Sequence, residues 1–140
     1  MSSIEDAIYQ YLKTDAALLA LIGGNSSDPK IYPDGLARTA SPSITYNIHG
    51  EGSNDEITDE IRLTFKITTP NYDYDLSKSI RDRLNELLDF KQSQANLQIF
   101  SPDFYIYDSE KNGGHDTRDD VTREVIKIVE YDIRFLKKSI

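Results

Sequence analysis

Between Ile57 and Thr68 the chain alternates with a period of two. Ile57, Ile61, Leu63, Phe65 and Ile67 fall on one side, and Thr58, Glu60, Arg62, Thr64, Lys66 and Thr68 on the other. Successive side chains of a strand point to opposite faces, so this pattern predicts a long strand with one dry and one wet face. A strand that keeps one face in water points to antiparallel pairing. The rest of the chain must therefore supply neighbouring strands and a cover for the dry face.

Both are visible in the sequence. Ser43 to His49 reads as a strand with Ile44, Tyr46 and Ile48 on one face, introduced by Pro42. The last strand runs from Val121, with Val125, Val129, Tyr131, Ile133 and Phe135 on one parity and Ile126, Ile128 and Leu136 on the other. Apolar groups on both faces imply cover on both sides of its middle, from a helix or another subunit. Leu97–Phe100 and Phe104–Tyr107 read as two short strands, or as one interrupted at Ser101 and Pro102.

The cover is helical. Ile4, Ala7, Ile8, Tyr11 and Leu12 recur at three and four residues, as one face of a helix does, and Ser3 with Asp6 loosely fits a capping box. Thr14 and Asp15 offer a cap for a second short helix, Ala16 to Ile22, which Gly23 and Gly24 end. A third helix, capped by Asp73 or Asp75, carries Leu76, Ile80, Leu84, Leu87 and Leu88 as its apolar stripe. Residues 23–43, with Pro29, Pro33 and Pro42, read as an ordered connector anchored by Ile31 and Tyr32. The expected fold is an α+β two-layer sandwich over residues 1–140, a largely antiparallel sheet with helices on one face.

Charge narrows the functions open to such a domain. The 140 residues include 24 acids and 16 bases, a net charge of −8, with a pI near 4.7. A general grip on phosphate backbone needs clustered lysine and arginine, so the balance argues against it. The acidity is also lopsided: residues 1–60 hold 10 acids and 3 bases, residues 61–140 hold 14 and 13. No apolar run approaches the ~20 residues of a membrane span. Without cysteine there is no disulfide, thiolate nucleophile or cysteine zinc site. The acidic start, Met1 to Asp6, lacks the cationic opening of a signal peptide and points to a cytoplasmic product.

Chemistry is sparse. His115 and Asp116 resemble half of a catalytic pair, but no nucleophile elbow accompanies them. From Asp108 to Asp119, oxygen-bearing residues fall at the first, third, fifth, ninth and twelfth positions with glycine at the sixth, in the manner of a calcium loop. The twelfth is Asp, shorter than the usual Glu, and the flanks look like strands, so no calcium site is expected. Asn112 and Gly113 are also a common hairpin pair. Gly50–Glu56 and Asp108–Asp120 are expected as polar hairpin tips, and loops of this kind carry contacts while the core carries stability. Their candidate contact residues are Glu51, Asp55, Glu56, Asp108, Glu110, Lys111, His115, Asp116 and Asp119. No enzyme emerges, and no cofactor or metal.

The order of motifs resembles a known group. An amphipathic helix leads into Asp15-Ala-Ala-Leu-Leu-Ala-Leu-Ile-Gly-Gly24, then Ile31-Tyr-Pro33, the strand Pro42-Ser-Ile-Thr-Tyr46, a strand–helix pair and a long final strand. This is similar to the tail completion and tail terminator proteins of long-tailed bacteriophages and their prophage relatives. The resemblance implies a virion protein at the head–tail interface, whose copies form a ring, typically of six. Such a ring caps the tail tube and meets the head-closure or connector protein, while DNA passes through without specific binding. A head-closure protein, a tube subunit or a small cytoplasmic binding module with a calcium-like hairpin are the alternatives.

Overall fold

The computed structural model describes residues 4–25, 27–33, 42–53, 59–89 and 104–137. Three helices, α1 (Ile4–Lys13), α2 (Ala16–Ile22) and α3 (Tyr74–Leu88), accompany five strands, β1 (Ile31–Pro33), β2 (Ser43–Ser53), β3 (Asp59–Thr69), β4 (Phe104–Asp119) and β5 (Glu124–Lys137). The strands form one sheet in the order β1-β2-β3-β5-β4. Only β1 is parallel to its neighbour; the other pairs are antiparallel. The fold is the expected α+β sandwich.

The helices form where the periodicity places them. Ala7, Ile8, Tyr11 and Leu12 of α1 are buried together with Leu18, Leu19 and Ile22 of α2 and Ile80, Leu84, Leu87 and Leu88 of α3. They meet Ile44, Leu63, Phe65 and Tyr131 of the sheet in one cluster. Asp15 caps α2 by accepting from the Leu18 backbone N–H at 2.8 Å. Gly23 ends the helix at φ 71°, a left-handed angle that costs glycine little. Of the two candidate caps for α3 it is Asp73 that serves, accepting from the Leu76 N–H at 3.0 Å.

One residue ties the helices together. The Asp15 carboxylate receives a two-pronged hydrogen bond from Arg83 of α3, at 2.9 Å from Nε and 2.5 Å from Nη2. Those Arg83 bonds hold its carboxyl below the usual carboxylate range, against a partial upward push from burial. Tyr11 adds a second tie by donating its hydroxyl to the Leu87 carbonyl at 3.0 Å. In the sheet, Phe65 and Tyr131 meet edge to face, 6.0 Å between centroids. Burial raises the Tyr131 phenol's pKa, so the hydroxyl stays protonated and donates to Asn85.

Four expectations are corrected. Ile31 and Tyr32 are not a connector's anchor but the start of β1, paired in parallel with Ile44 and Thr45. Gly50 to Ser53 continue β2 past a register shift between His49 and Gly52, so only the following residues remain for a tip, and residues 54–58 lie outside those described. Asp108–Asp119 is not a loop: it is the greater part of β4, a 16-residue strand. The last strand starts at Glu124, and Val121 belongs to the turn before it. Leu97–Phe100 lies outside the described residues.

The reason β4 reads as a loop is its position. Among the described residues it lies at an edge of the sheet and pairs with β5 alone, and most of its side chains are exposed. An exposed strand shows no apolar alternation. β4 shifts register at Ile106/Asp108 and at Lys111/Gly113, the second beside its two glycines. The true turn lies beyond it, where the Asp119 carboxylate accepts from the Val121 and Thr122 N–H groups at 3.0 and 3.3 Å.

The helix-free face of the sheet is polar. Arg62 on β3 donates to Asp132 on β5 at 3.0 Å, and Arg134 to Glu60 at 3.4 Å. Ile126 and Ile128 are half-buried on this side. Among the described residues no helix covers them, so the two-sided cover expected for β5 is helical on one side only.

Candidate functional site

The expected contact residues separate into two groups. Asp108, Glu110, Lys111, His115, Asp116 and Asp119 lie in sequence along β4, the outermost strand. Glu51 sits on β2, with β3 and β5 between it and β4. Asp55 and Glu56 lie outside the described residues. Glu110, Lys111, His115 and Asp116 are exposed, whereas Asp119 is half-buried because it holds the β4–β5 turn. The two groups are not one surface.

The calcium-like spacing is also undone by the strand. Twelve extended residues span roughly 36 Å, and their side chains alternate in direction, so they cannot close around one ion. The His115–Asp116 pair fares no better as a catalytic unit. Pairing sets His115 opposite Ile128 and Asp116 opposite Lys127, and the Asp116 carboxylate is engaged by the Lys127 ammonium at 2.6 Å.

A cleft of about 310 Å³ opens beside this ion pair, lined by Arg81 of α3, Lys111, Gly113, Gly114 and Asp116 of β4, and Lys127 of β5. Its floor exists because two consecutive β4 residues lack side chains. Gly113 has φ 122°, which L side chains rarely adopt. A Cβ on Gly114 would overlap the Ile128 carbonyl oxygen. The Lys127 side chain is only 10% exposed, so its ammonium is a fixed charge in the wall.

A second surface lies at one end of the sheet, where the β3–α3 and β4–β5 turns meet. The Tyr72 N–H donates to the Arg123 carbonyl at 2.9 Å, and the Tyr72 hydroxyl to Asp120 at 3.0 Å. That bond raises the Tyr72 phenol's pKa, with desolvation second. Arg118 pairs with Asp120 at 3.0 Å and lies over the Tyr72 ring, 5.6 Å from its centroid. Asn71, Tyr72 and Arg123 all take positive φ, between 53° and 61°. Strained backbone of this kind persists only where the surroundings impose it.

This braced end carries Tyr72 at 37%, Tyr74 at 46% and Val121 at 93% exposure, the large hydrophobics exposed among the described residues. Aromatic and arginine side chains on a rigid base are the usual composition of a docking hot spot. The sequence reading missed it by counting Val121 as strand. The available signal was Asp119 two residues earlier, which suits an Asx turn.

The fold has a solved counterpart. A chain in the structure of the virion of a native gene transfer agent (GTA) particle superposes with a TM-score of 0.66 and 14% identity, covering 96% of this chain and 94% of that one. At that identity the likeness shows the fold. No protein-family model matches the sequence, and no curated protein matches it.

Proposed function

We propose that this chain is a virion structural protein of the bacteriophage type, and that its copies form the ring which ends the tail tube and joins it to the head. The observation that carries the reading is the near whole-length likeness to a chain of a virion, with almost nothing left over on either side. The tail-end role comes from the motif order between Asp15 and Tyr46, which resembles tail completion proteins. The geometry supports contact over catalysis: the braced Tyr72–Val121 end is built for docking, and the polar groups of β4 are spread along an edge.

In this reading the tube protein and the head-closure protein are the partners. The net charge of −8 keeps DNA moving through the ring without adhering to it. Deleting the gene from the genome that encodes it, and imaging the particles made, tests the function. Filled heads and unjoined or overlong tails are expected. Heads that lose their DNA would instead assign the chain to head closure, and particles of normal form and infectivity would end the assembly reading.

A further inference from the structure

Of the seven asparagines in the chain, only Asn112 is followed by glycine. An asparagine amide can be displaced by the backbone nitrogen of the next residue, and a side chain on that residue stands in the way, which glycine lacks. The fold sets this pair further apart. The β4–β5 register passes from Lys111 opposite Tyr131 to Gly113 opposite Glu130, so Asn112 is the extra residue of a bulge, with no partner on β5. It is exposed, on a strand that among the described residues is paired on one side only. Gly113 takes φ 122°, and a Cβ there would meet nothing within 4 Å, so the space beside its α-carbon is open.

The other asparagines among the described residues are each held. Asn25 Oδ1 accepts from the Ser27 and Asp28 N–H groups, both at 2.9 Å. Asn85 lies within α3 and accepts the Tyr131 hydroxyl. Asn47 is paired opposite Thr64 inside the sheet and precedes the branched side chain of Ile48. Asn71 precedes Tyr72, whose N–H, the group that would have to attack, donates to the Arg123 carbonyl at 2.9 Å. Among the described residues Asn112 alone combines exposure, a bulge position and a following residue without a side chain.

We propose that Asn112 is a site of spontaneous deamidation, with Gly113 as the attacking residue. The Gly113 backbone nitrogen forms a bond to Asn112 Cγ, the Cγ–Nδ2 bond breaks, and the Gly113 amide hydrogen leaves with Nδ2 as ammonia. Water then opens the cyclic imide and returns a hydrogen to the Gly113 nitrogen. Opening at Cγ leaves aspartate. Opening at the main-chain carbonyl leaves isoaspartate, whose backbone runs through Cβ and Cγ and is longer by a methylene. Ring closure needs the Gly113 nitrogen to leave the ladder, and an edge strand opens locally at less cost than the whole fold. Either product sets a new carboxylate beside Lys111, whose N–H donates to the Asp89 carboxylate at 3.4 Å. Like charge is thereby added where β4 meets the end of α3. The reaction needs no partner chain, so it stands whatever the protein assembles with.

Holding the purified chain for days at mildly alkaline pH and body temperature tests this, read by intact mass and by fragmentation of the undigested chain. The mass rise of an amide-to-acid exchange should appear at Asn112 and come faster as pH rises, because the attacking nitrogen must lose its proton. Loss at Asn112 should outrun that at Asn25, Asn47, Asn71 and Asn85 by on the order of tenfold or more. An isoaspartate-specific methyltransferase should label the aged chain. Asn112→Gln lengthens the amide arm and disfavours the ring, so it should suppress both the mass rise and the label, with a thermal melt to show that it still folds. The urea-unfolded chain serves as the control for sequence without structure. A native chain that keeps Asn112 intact while the unfolded chain loses it would mean that the bulge protects the pair, and would overturn the proposal. So would a mass rise confined to other asparagines, or one that Asn112→Gln leaves unchanged.

Discussion

β3 and β4 belong to one sheet and answer to different demands. β3 is paired on both sides, with β2 and β5, and buries Ile61, Leu63, Phe65 and Ile67 under the helices. β4 is paired on one side, shifts register twice, and leaves Glu110, Lys111, His115 and Asp116 in water. Burial of apolar surface at about 25 cal/mol per Å² makes the first a source of stability. The second holds on through backbone hydrogen bonds, each worth roughly 1 kcal/mol net. Stability is concentrated in β3, while β4 leaves polar side chains exposed, so the second can change while the first is kept.

The sharpest way to break that contrast is at Phe65. Phe65→Ala removes a fully buried ring beside Tyr131 and should cost about 3–5 kcal/mol, read from urea denaturation. A cost no larger than that of a β4 change would abolish the distinction between the strands.

The next effect lies in the layer that covers β3. Asp15→Ala removes a helix cap and one of the two carboxylates that Arg83 holds, Glu86 being the other, at a cost of about 2–3 kcal/mol. Because Arg83 lowers the folded-state pKa of Asp15, the contribution is complete above the unfolded value of about 3.9 and is lost as pH falls through the lower folded value. The stability gap between wild type and Asp15→Asn should therefore be constant near neutrality and close in acid. A gap that persists in acid would mean that the charge on Asp15 is not what Arg83 holds.

Gly114→Ala probes whether β4 is as permissive as it looks. Its Cβ would meet the Ile128 carbonyl, forcing a backbone shift of about 1–3 kcal/mol. The smallest effect belongs to Val121→Ser, within about 0.5 kcal/mol at so exposed a site; under the proposed function, head–tail joining should be impaired if that end meets a partner. Unimpaired complementation by the Val121 variant would take that end out of the interface.

These contrasts also explain what the sequence could show. Hydrophobic alternation reports the cover over a strand, and β3 is covered on one face, so Ile61 to Ile67 announced it. The helices were legible for the same reason, since Ile8, Leu12, Leu84 and Leu88 face a common core. Among the described residues most β4 side chains are exposed, so Asp108 to Asp119 carried only polar and glycine signals, and those resemble a loop whether or not the backbone is paired. β1 was too short to alternate, and pairs through Ile31 and Tyr32 with Ile44 and Thr45, which are not its neighbours in sequence. For the candidate contact residues, the arrangement along a paired edge strand was not legible. The cleft depends on Arg81 and Lys127, brought to β4 from another helix and strand, and no local pattern links them to Lys111.

The placement of β5 has a consequence for the nascent chain. It lies between β3 and β4, and it is synthesised after both. While the ribosome is still short of Glu124, β1-β2-β3 is a sheet fragment with its inner edge bare, and β4 has no strand to pair with. An early subunit therefore exposes the hydrogen-bonding edge of β3, a template for unwanted strand pairing. Once β5 inserts, that edge is closed by 11 residue pairs, from Asp59 with Phe135 to Thr69 with Val125. The order of synthesis thus sets a timing rule: the sheet is complete only after β5, made last of the five strands, has inserted between β3 and β4.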